Sequence, residues 1–158
     1  MLVPNGTGNE RKVVFSKSKP RALAKELGIE FTPNTLVMMA LSGFLDGNME
    51  INYKTASYTL LPKDNGKVFT TKGATQQVNF TLPPKDSRWM VLFVNSVDYP
   101  MTVCSNGNLN DVITLNEMTA DRVTLDVAGH KIGVGVLAFC DGEAIHAIVI
   151  GTNEYHVG

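Results

Sequence analysis

The three histidines of the chain are the first residues to test for chemistry, because imidazole binds metals and transfers protons near neutral pH. His130, His146 and His156 have no histidine, cysteine or carboxylate at a metal-binding spacing such as HExxH. We therefore expect three isolated imidazoles, at the surface or partly buried, and no metal site.

The possible nucleophiles lack the neighbours that would activate them. The serines considered are Ser87, Ser96 and Ser105. None of them stands in a Gly-x-Ser-x-Gly turn, and Gly6-Thr7-Gly8 lacks the Gly-Lys-Ser/Thr of a phosphate-binding loop. Cys104 and Cys140 have neither a catalytic signature nor a metal-type spacing, so we expect two free, buried thiols and no disulfide.

The carboxylates are scattered, and the ones considered are Asp98, Asp111, Asp121 and Asp126. In a β protein such residues usually mark turns and solvent faces, although a glycosidase pair is a matter of spatial separation that spacing does not decide. We predict that the chain is not an enzyme and takes no cofactor.

Sugar binding is a more serious alternative, because an exposed Trp or Tyr can stack on a sugar ring. The aromatic residues available for this role are Trp89, Tyr53, Tyr58, Tyr99 and Tyr155. Trp89 lies in a continuously apolar run, where packing in the core is the stronger expectation.

The composition excludes several classes of protein. The chain has 158 residues, with 14 Lys and Arg against 15 Asp and Glu, 44% hydrophobic residues and 18% charged ones. The near-zero net charge gives no general attraction to nucleic acid or anionic lipid, and the apolar fraction argues against disorder. We see neither a secretory signal nor an apolar run long enough to cross a membrane. The low charge content suggests that something covers part of the surface.

Short runs rich in Val, Ile, Thr and aromatic residues alternate with Gly and Pro turn signals, which predicts an all-β protein. Residues 78–82 and 123–127 alternate apolar and polar side chains, as half-buried strands do. Residues 89–94 and 144–150 are apolar on both faces, and we expect strands covered on two sides, by a second sheet or by a neighbouring subunit. The predicted body is an antiparallel β-sandwich or barrel.

The last thirty residues predict a meander of hairpins. Asp141-Gly142 separates two apolar runs and is a two-residue hairpin signal, and Gly151-Thr152-Asn153 suggests a second hairpin. Gly133 and Gly135 lie opposite a face formed by Ile132 and its neighbours, and glycine admits another backbone closely. A local bend and a subunit contact both explain that pattern. The candidate self-association residues are Ile132, Gly133, Gly135, Ile148 and Ile150.

The first fifty residues differ from the rest and read as an arm, so we divide the chain into an arm over residues 1–50 and a β-sandwich domain over residues 51–158. Residues 11–16 and 35–41 predict strands. Pro20 and Gly28 bracket a short predicted helix. The arm docks either on the β body or on another molecule.

Residues 58–83 carry a specific pattern: a Tyr-Thr strand, Asp-x-Gly-Lys-x-Phe from Asp64, Gly-Ala-Thr from Gly73, and Val-x-Phe-Thr-Leu-Pro from Val78. This pattern resembles a β module of tailed-bacteriophage virion proteins, found in head decoration proteins, head fibres and tail fibres. The resemblance extends more weakly over residues 55–158. Asp64, Gly66 and Gly73 are expected to be scaffold positions that form turns.

The sequence departs from that module in two places. Tyr155 stands where the module usually has Trp, and the apolar stretch over residues 144–150 is an insertion. Residues 1–50 have no counterpart in the module.

The resemblance implies a non-enzymatic capsid decoration (cement) protein. Such a protein is made in the host cytoplasm, binds the major capsid protein on the outer surface of the head as a homotrimer, and stabilises the mature head. It binds neither nucleic acid nor membrane. The alternatives are a tail-fibre, baseplate or head-fibre adaptor domain, and the sugar-binding β-sandwich. The candidate capsid-binding residues of the arm are Val13, Val14, Phe15, Lys17, Lys19, Arg21, Leu23, Leu27 and Phe31. Packing of the arm on its own sheet is the competing interpretation of the apolar ones.

Overall fold

The computed structural model describes residues 50–158 in full, together with Lys25, Gly28 and the backbone of Leu2–Pro4, Arg11–Phe15 and Met49. The predicted strand over residues 11–16 is confirmed as Arg11–Phe15. Most of the predicted helix over residues 20–28 and all of the predicted strand over residues 35–41 lie outside the described residues. Lys25 is helical and Gly28 is in a turn.

The strands are β1 (Leu2–Pro4), β2 (Arg11–Phe15), β3 (Met49–Tyr53), β4 (Tyr58–Thr59), β5 (Val68–Thr70), β6 (Val78–Thr81), β7 (Trp89–Asn95), β8 (Met101–Cys104), β9 (Ile113–Leu115), β10 (Met118–Ala120), β11 (Arg122–Leu125), β12 (Val134–Cys140), β13 (Ile145–Ile150) and β14 (His156–Val157). A 3₁₀ helix, Pro62–Asp64, connects β4 to β5.

The predicted all-β sandwich is confirmed. One sheet has nine strands in the order β1-β2-β3-β5-β7-β12-β13-β9-β10, and the other has five in the order β14-β11-β8-β6-β4. Through β1 and β2, part of the predicted arm belongs to the nine-stranded sheet, where β2 pairs with β3.

Both sheets are mixed, so the expectation of purely antiparallel pairing is wrong in detail. Among the described strands, seven pairings are antiparallel and five are parallel. The reason is that β4 to β8 lie alternately in the two sheets. Each crossing reverses the chain, so β5 runs parallel to β7, and β6 runs parallel to β4 and to β8. Hydrophobic periodicity specifies which face of a strand is buried, but not which strand lies beside it.

The core fills the space between the sheets. Its centre is a trio of rings, in which Phe80 lies 4.9 Å from Phe93 and 5.8 Å from Phe69, measured between centroids. Trp89 is also buried there, and its indole N–H donates to the Pro84 carbonyl at 3.0 Å. Ring pairs at these separations stabilise a core beyond the area they bury.

The two strands predicted to be covered on both faces differ. In β7 the prediction is confirmed, because Leu92 and Val94, which point away from the five-stranded sheet, are 4% and 0% exposed. In β13 the chain itself covers one face only: Ile145 is buried between the sheets, but Ile148 on the outer face is 38% exposed. Cover of that face by a neighbouring subunit stays a prediction.

The predicted C-terminal meander is correct for one hairpin only. β12 and β13 pair antiparallel around Gly142, which has a φ of 97°. After Gly151 the chain does not turn back along β13. Instead β14 crosses to the five-stranded sheet and pairs with β11, with Val157 opposite Val123.

A buried carboxylate holds the crossing from β4 to β5. Asp64 is 2% exposed and accepts hydrogen bonds from the Tyr58 hydroxyl (2.8 Å), the Leu61 N–H (2.9 Å) and the Lys67 ammonium (3.1 Å). Lys67 also lies 3.4 Å from Glu50 of β3. Burial opposes ionisation of Asp64, but its three donors together hold the pKa of this carboxyl below the usual value. Asp64 is thus a scaffold residue, as expected.

We expect Asp64→Asn to lower the free energy of unfolding by about 2–4 kcal/mol at pH 7, because it removes the charge of a buried, hydrogen-bonded pair. Since the pKa of Asp64 is lowered on folding, its contribution is complete above the pKa of the unfolded carboxyl, about 3.9, and is lost as pH falls through the lower folded value. Denaturant unfolding at pH 7 and pH 3 measures both effects.

The control for this variant is Asp86→Asn at an exposed position. A difference between Asp64→Asn and wild type that did not shrink at pH 3 would contradict the assignment of the effect to the charge.

The tip of the β9–β10 hairpin is strained. Asn116 and Glu117 both have positive φ, 49° and 68°, in a two-residue turn that favours Asn-Gly. We expect Glu117→Gly to raise the free energy of unfolding by about 0.5–1 kcal/mol, because glycine adopts this conformation without strain. Thermal or denaturant unfolding tests this, with exposed Glu154→Gly as the control that should give no gain. A loss of stability in Glu117→Gly would contradict it.

Candidate interaction surface

A group of apolar, partly exposed side chains lies on the outer face of β12 and β13. We call the residues Phe139, His146, Ile148 and Ile150 the β13 strip. The register places Phe139 opposite His146, and Leu137 opposite Ile148. Leu137 is buried, Ile148 is 38% exposed, and the other members of the strip are partly exposed. The strip therefore continues a buried apolar surface out to solvent.

The outward direction of the strip's side chains follows from the alternation of residues along β13. In residues 145–150 the side chains at odd positions, such as Ile145 and Ala147, enter the core, and those at even positions point out. Beyond β13 the outward positions become polar: Thr114 of β9 pairs with His146, and Thr119 of β10 pairs with Thr114. The apolar outer surface thus ends at β13.

His146 joins the strip to the hairpin turn. Its ring stacks on Phe139 with centroids 5.0 Å apart, and its Nε2 lies 3.2 Å from Asp141 Oδ2. Asp141 Oδ1 accepts the N–H groups of Glu143 and Ala144, each at 2.8 Å. These two backbone donors, and then His146, lower the pKa of Asp141 to about 2.

The expectation of three isolated imidazoles is therefore wrong for two of them. His146 pairs with Asp141 across a hairpin, and His156 Nδ1 lies 2.5 Å from Asp126 Oδ1 where β14 meets β11. Neither pairing has a metal-ligand spacing in the sequence, and among the described residues no group of three His, Cys, Asp or Glu side chains is placed to hold a metal ion. The pairing of His146 with Asp141 has a signal in the sequence, because an Asp-Gly turn is followed by a histidine on the returning strand.

The outer face of the five-stranded sheet has the opposite character. Every outward position of its strands carries a polar side chain or Cys104, and these residues are Thr59, Asn79, Thr81, Thr102, Cys104, Arg122, Thr124 and His156. Thr102 and Thr124 hydroxyls lie 3.2 Å apart, and Gln77 donates to Asn79. The sandwich thus has one polar face and one face with an apolar strip.

The structure places the predicted self-association residues in two settings. Ile148 and Ile150 belong to the β13 strip, and Ile132 is 60% exposed just before β12. Gly133 and Gly135 do admit other backbones closely, but these belong to the same chain: the carbonyls of Gly28 and Phe93.

Of the predicted arm residues, Val13, Val14 and Phe15 lie in β2, whose backbone pairs with β3. Lys17, Lys19, Arg21, Leu23, Leu27 and Phe31 lie outside the described residues.

A polar cleft of about 610 Å³ lies at one end of the sandwich. Its lining is Pro84, Lys85, Asp86, Asn108, Asn110, Asp111, Gly142 and Glu143. Asp111 closes a turn, as expected, because its N–H donates to the Asn108 carbonyl at 2.9 Å. Its side chain is nevertheless 3% exposed, and its Oδ2 accepts a hydrogen bond from the Asn106 amide at 2.7 Å. The side-chain partner of Asp111 is thus a neutral amide of its own loop.

Most of the aromatic and cysteine side chains lie where the sequence predicts. Trp89 is in the core, so it offers no platform to a sugar, whereas Tyr99 is 42% exposed. Both cysteines are free; Cys140 is buried, but Cys104 is only partly buried. No helix in the described part of the chain is long and apolar enough to cross a membrane.

Comparison of the chain with protein-family models, with curated proteins and with solved structures gave no match.

We expect the Asp141 carboxyl to titrate with a midpoint of about 2, because the turn donates two N–H groups to its ionised form. Because the pKa of Asp141 is lowered, its carboxylate stays ionised and keeps its hydrogen bonds within the turn as pH falls. These hydrogen bonds are lost only as pH approaches 2. His146→Ala should raise the midpoint without restoring the usual value. Carbon-13 NMR of the carboxyl measures this, and a wild-type midpoint near 4 would contradict it.

Proposed function

We propose that the protein is a non-enzymatic virion structural protein that decorates the outer surface of a phage capsid as a homotrimer and stabilises the mature head. The observation that carries this proposal is the difference between the two faces of the sandwich. The polar face of the five-stranded sheet suits solvent, and the β13 strip suits a protein contact. The resemblance of residues 58–83 to phage virion modules points to the same role.

The strip belongs to a face rather than an edge, which favours association through side chains. The described edge strands are short: β1 and β10 have three residues each, while β4 and β14 have two each. Short edges discourage strand pairing between molecules. Packing of β13 strips around a three-fold axis would bury Ile148 and its neighbours, and a cyclic trimer suits the local three-fold positions of a capsid lattice.

Stabilisation in this proposal requires no chemistry. A protein that binds the assembled shell but not free capsid subunits shifts the equilibrium towards the shell by mass action. Binding several neighbouring subunits at once raises the effective affinity. The predicted arm residues Lys17, Lys19 and Arg21 are the proposed contacts with the major capsid protein, and the outer surface of the capsid is the proposed location.

The second candidate is an adaptor domain of a tail fibre, head fibre or baseplate, which would use the same strip to join a longer assembly. A sugar-binding function is supported by Tyr99 and the polar cleft alone, since Trp89 is buried. Glycan-array binding that Tyr99→Ala abolishes would favour this function over the structural one.

The location and copy number of the protein in virions test the proposal. Heads and tails of virions that carry the protein are separated and quantified by mass spectrometry. We expect on the order of hundreds of copies on heads, as occupation of lattice positions requires. A few copies confined to tails would contradict the decoration role and favour the adaptor.

Self-association through the strip is tested by Ile148→Asp. We expect the trimer to dissociate at least about tenfold more readily, because burying an isoleucine is worth about 1.5–3 kcal/mol and a buried charge adds a penalty. Analytical ultracentrifugation measures the mass. Leu61→Asp is the matched control, since Leu61 is 47% exposed but lies outside the strip. Equal dissociation of both variants would contradict the role of the strip.

A further inference from the structure

Two Asn-Gly pairs lie in the described part of the sandwich, Asn65-Gly66 and Asn106-Gly107, and a third, Asn5-Gly6, lies outside it. In such a pair the glycine nitrogen can attack the side-chain amide of the asparagine, because glycine has no side chain to block the approach. Gly66 and Gly107 are both exposed and have similar φ values, 82° and 86°. The two pairs differ in what holds the attacking nitrogen.

The Asn65-Gly66 pair is tied to β7. The Gly66 N–H donates to the Met90 carbonyl at 2.8 Å, and Asn65 Oδ1 accepts the Met90 N–H at 2.9 Å. One residue of the sheet therefore holds both the attacking nitrogen and the amide that it would attack. These hydrogen bonds must break before the two groups can react.

The Asn106-Gly107 pair lies in the loop between β8 and β9, and only its amide is held. Asn106 Oδ1 accepts the Asn108 N–H at 2.9 Å, and Asn106 Nδ2 donates to Asp111 Oδ2 at 2.7 Å. The Gly107 N–H donates to no acceptor among the described residues, and none of those beyond its chain neighbours lies within 4 Å of a methyl group on Gly107. The Asn108 N–H is also placed to stabilise negative charge on Oδ1 when a nitrogen adds to the amide carbon.

We propose that Asn106 is a site of spontaneous deamidation in the folded protein and that Asn65 is protected from it. The Gly107 nitrogen forms a bond to Asn106 Cγ, its proton passes through water to Nδ2, and Nδ2 leaves as ammonia when the Cγ–Nδ2 bond breaks. Water then opens the resulting succinimide and leaves aspartate or isoaspartate at position 106. The reaction consumes only water, and the proposal does not rest on the proposed function.

The product changes the loop that carries it. Asp111 is 3% exposed, and the side-chain hydrogen bond described for it comes from the Asn106 amide. Deamidation replaces this donor by a carboxylate, so a buried charge loses its donor and faces a like charge. The loop over residues 105–111 then opens. The same loop presents Leu109, which is 90% exposed, and lines the polar cleft, so the modification alters the surface at this end of the sandwich.

Ageing of the full chain tests the modification. Folded protein and a guanidinium-unfolded sample are incubated at mildly alkaline pH, and peptide mapping by mass spectrometry measures the aspartate and isoaspartate formed at positions 65 and 106. In the folded protein we expect Asn106 to react at least about tenfold faster than Asn65, because the hydrogen bonds to Met90 must open first. In the unfolded sample the two rates should be similar.

Equal rates at the two positions of the folded protein would overturn the proposal, as would a reaction of Asn106 that occurs only after unfolding. A difference of the same size in the unfolded sample would assign it to the neighbouring sequence, and would overturn the protection of Asn65 by Met90.

The variant Asn106→Asp tests the effect on the loop, with Asn110→Asp as a control that adds the same charge to an exposed position of the same loop. The Asp111 N–H donates to the Asn108 carbonyl at 2.9 Å, and its protection from hydrogen exchange reports opening of the loop. We expect this protection to be at least about tenfold lower in Asn106→Asp than in Asn110→Asp, because only the first variant removes the donor to the buried carboxylate. Equal protection would overturn the opening of the loop, whereas the modification itself is decided by the ageing experiment.

Discussion

The carboxylate of Asp64 fixes one of the crossings between sheets on which the rest of the sandwich depends. Between β4 and β8 the chain changes sheet at every step, so each sheet is built from strands that are not neighbours in sequence. The Tyr58 hydroxyl approaches this carboxylate from the five-stranded sheet, and Lys67 approaches it from the nine-stranded one. With the crossing held, Phe69 and Phe80 face each other across the core.

The two sheets have unequal outer faces. The five-stranded sheet is polar on its outer face, as expected for a sheet that packs one face on the core and exposes the other to water. The nine-stranded sheet is apolar on both sides at its centre, where Leu92 and Val94 are buried, and at β13 that apolar surface reaches solvent. Apolar residues on the outer face of the nine-stranded sheet thus contribute to the low charge content of the chain.

The sequence was sufficient to predict elements whose signal is local. The β7 strand, the β12–β13 hairpin and the turns at Gly66 and Gly73 are where residue patterns place them. The partners of each strand were not predictable, because periodicity is the same for parallel and antiparallel neighbours. The pairing of His156 with Asp126 depends on β14 joining the second sheet, and the contact of Gly133 with Gly28 joins residues far apart in the chain.

The central claim is that the β13 face enters the assembly while the face of the five-stranded sheet stays in solvent. Cysteine labelling tests it most directly, using Ile148→Cys for the first face and Asn79→Cys for the second, each labelled with a maleimide in the dissociated protomer and in the trimer assembled on capsid shells. The account predicts that assembly protects position 148 and leaves position 79 reactive. Protection of position 79 with position 148 still reactive would contradict it.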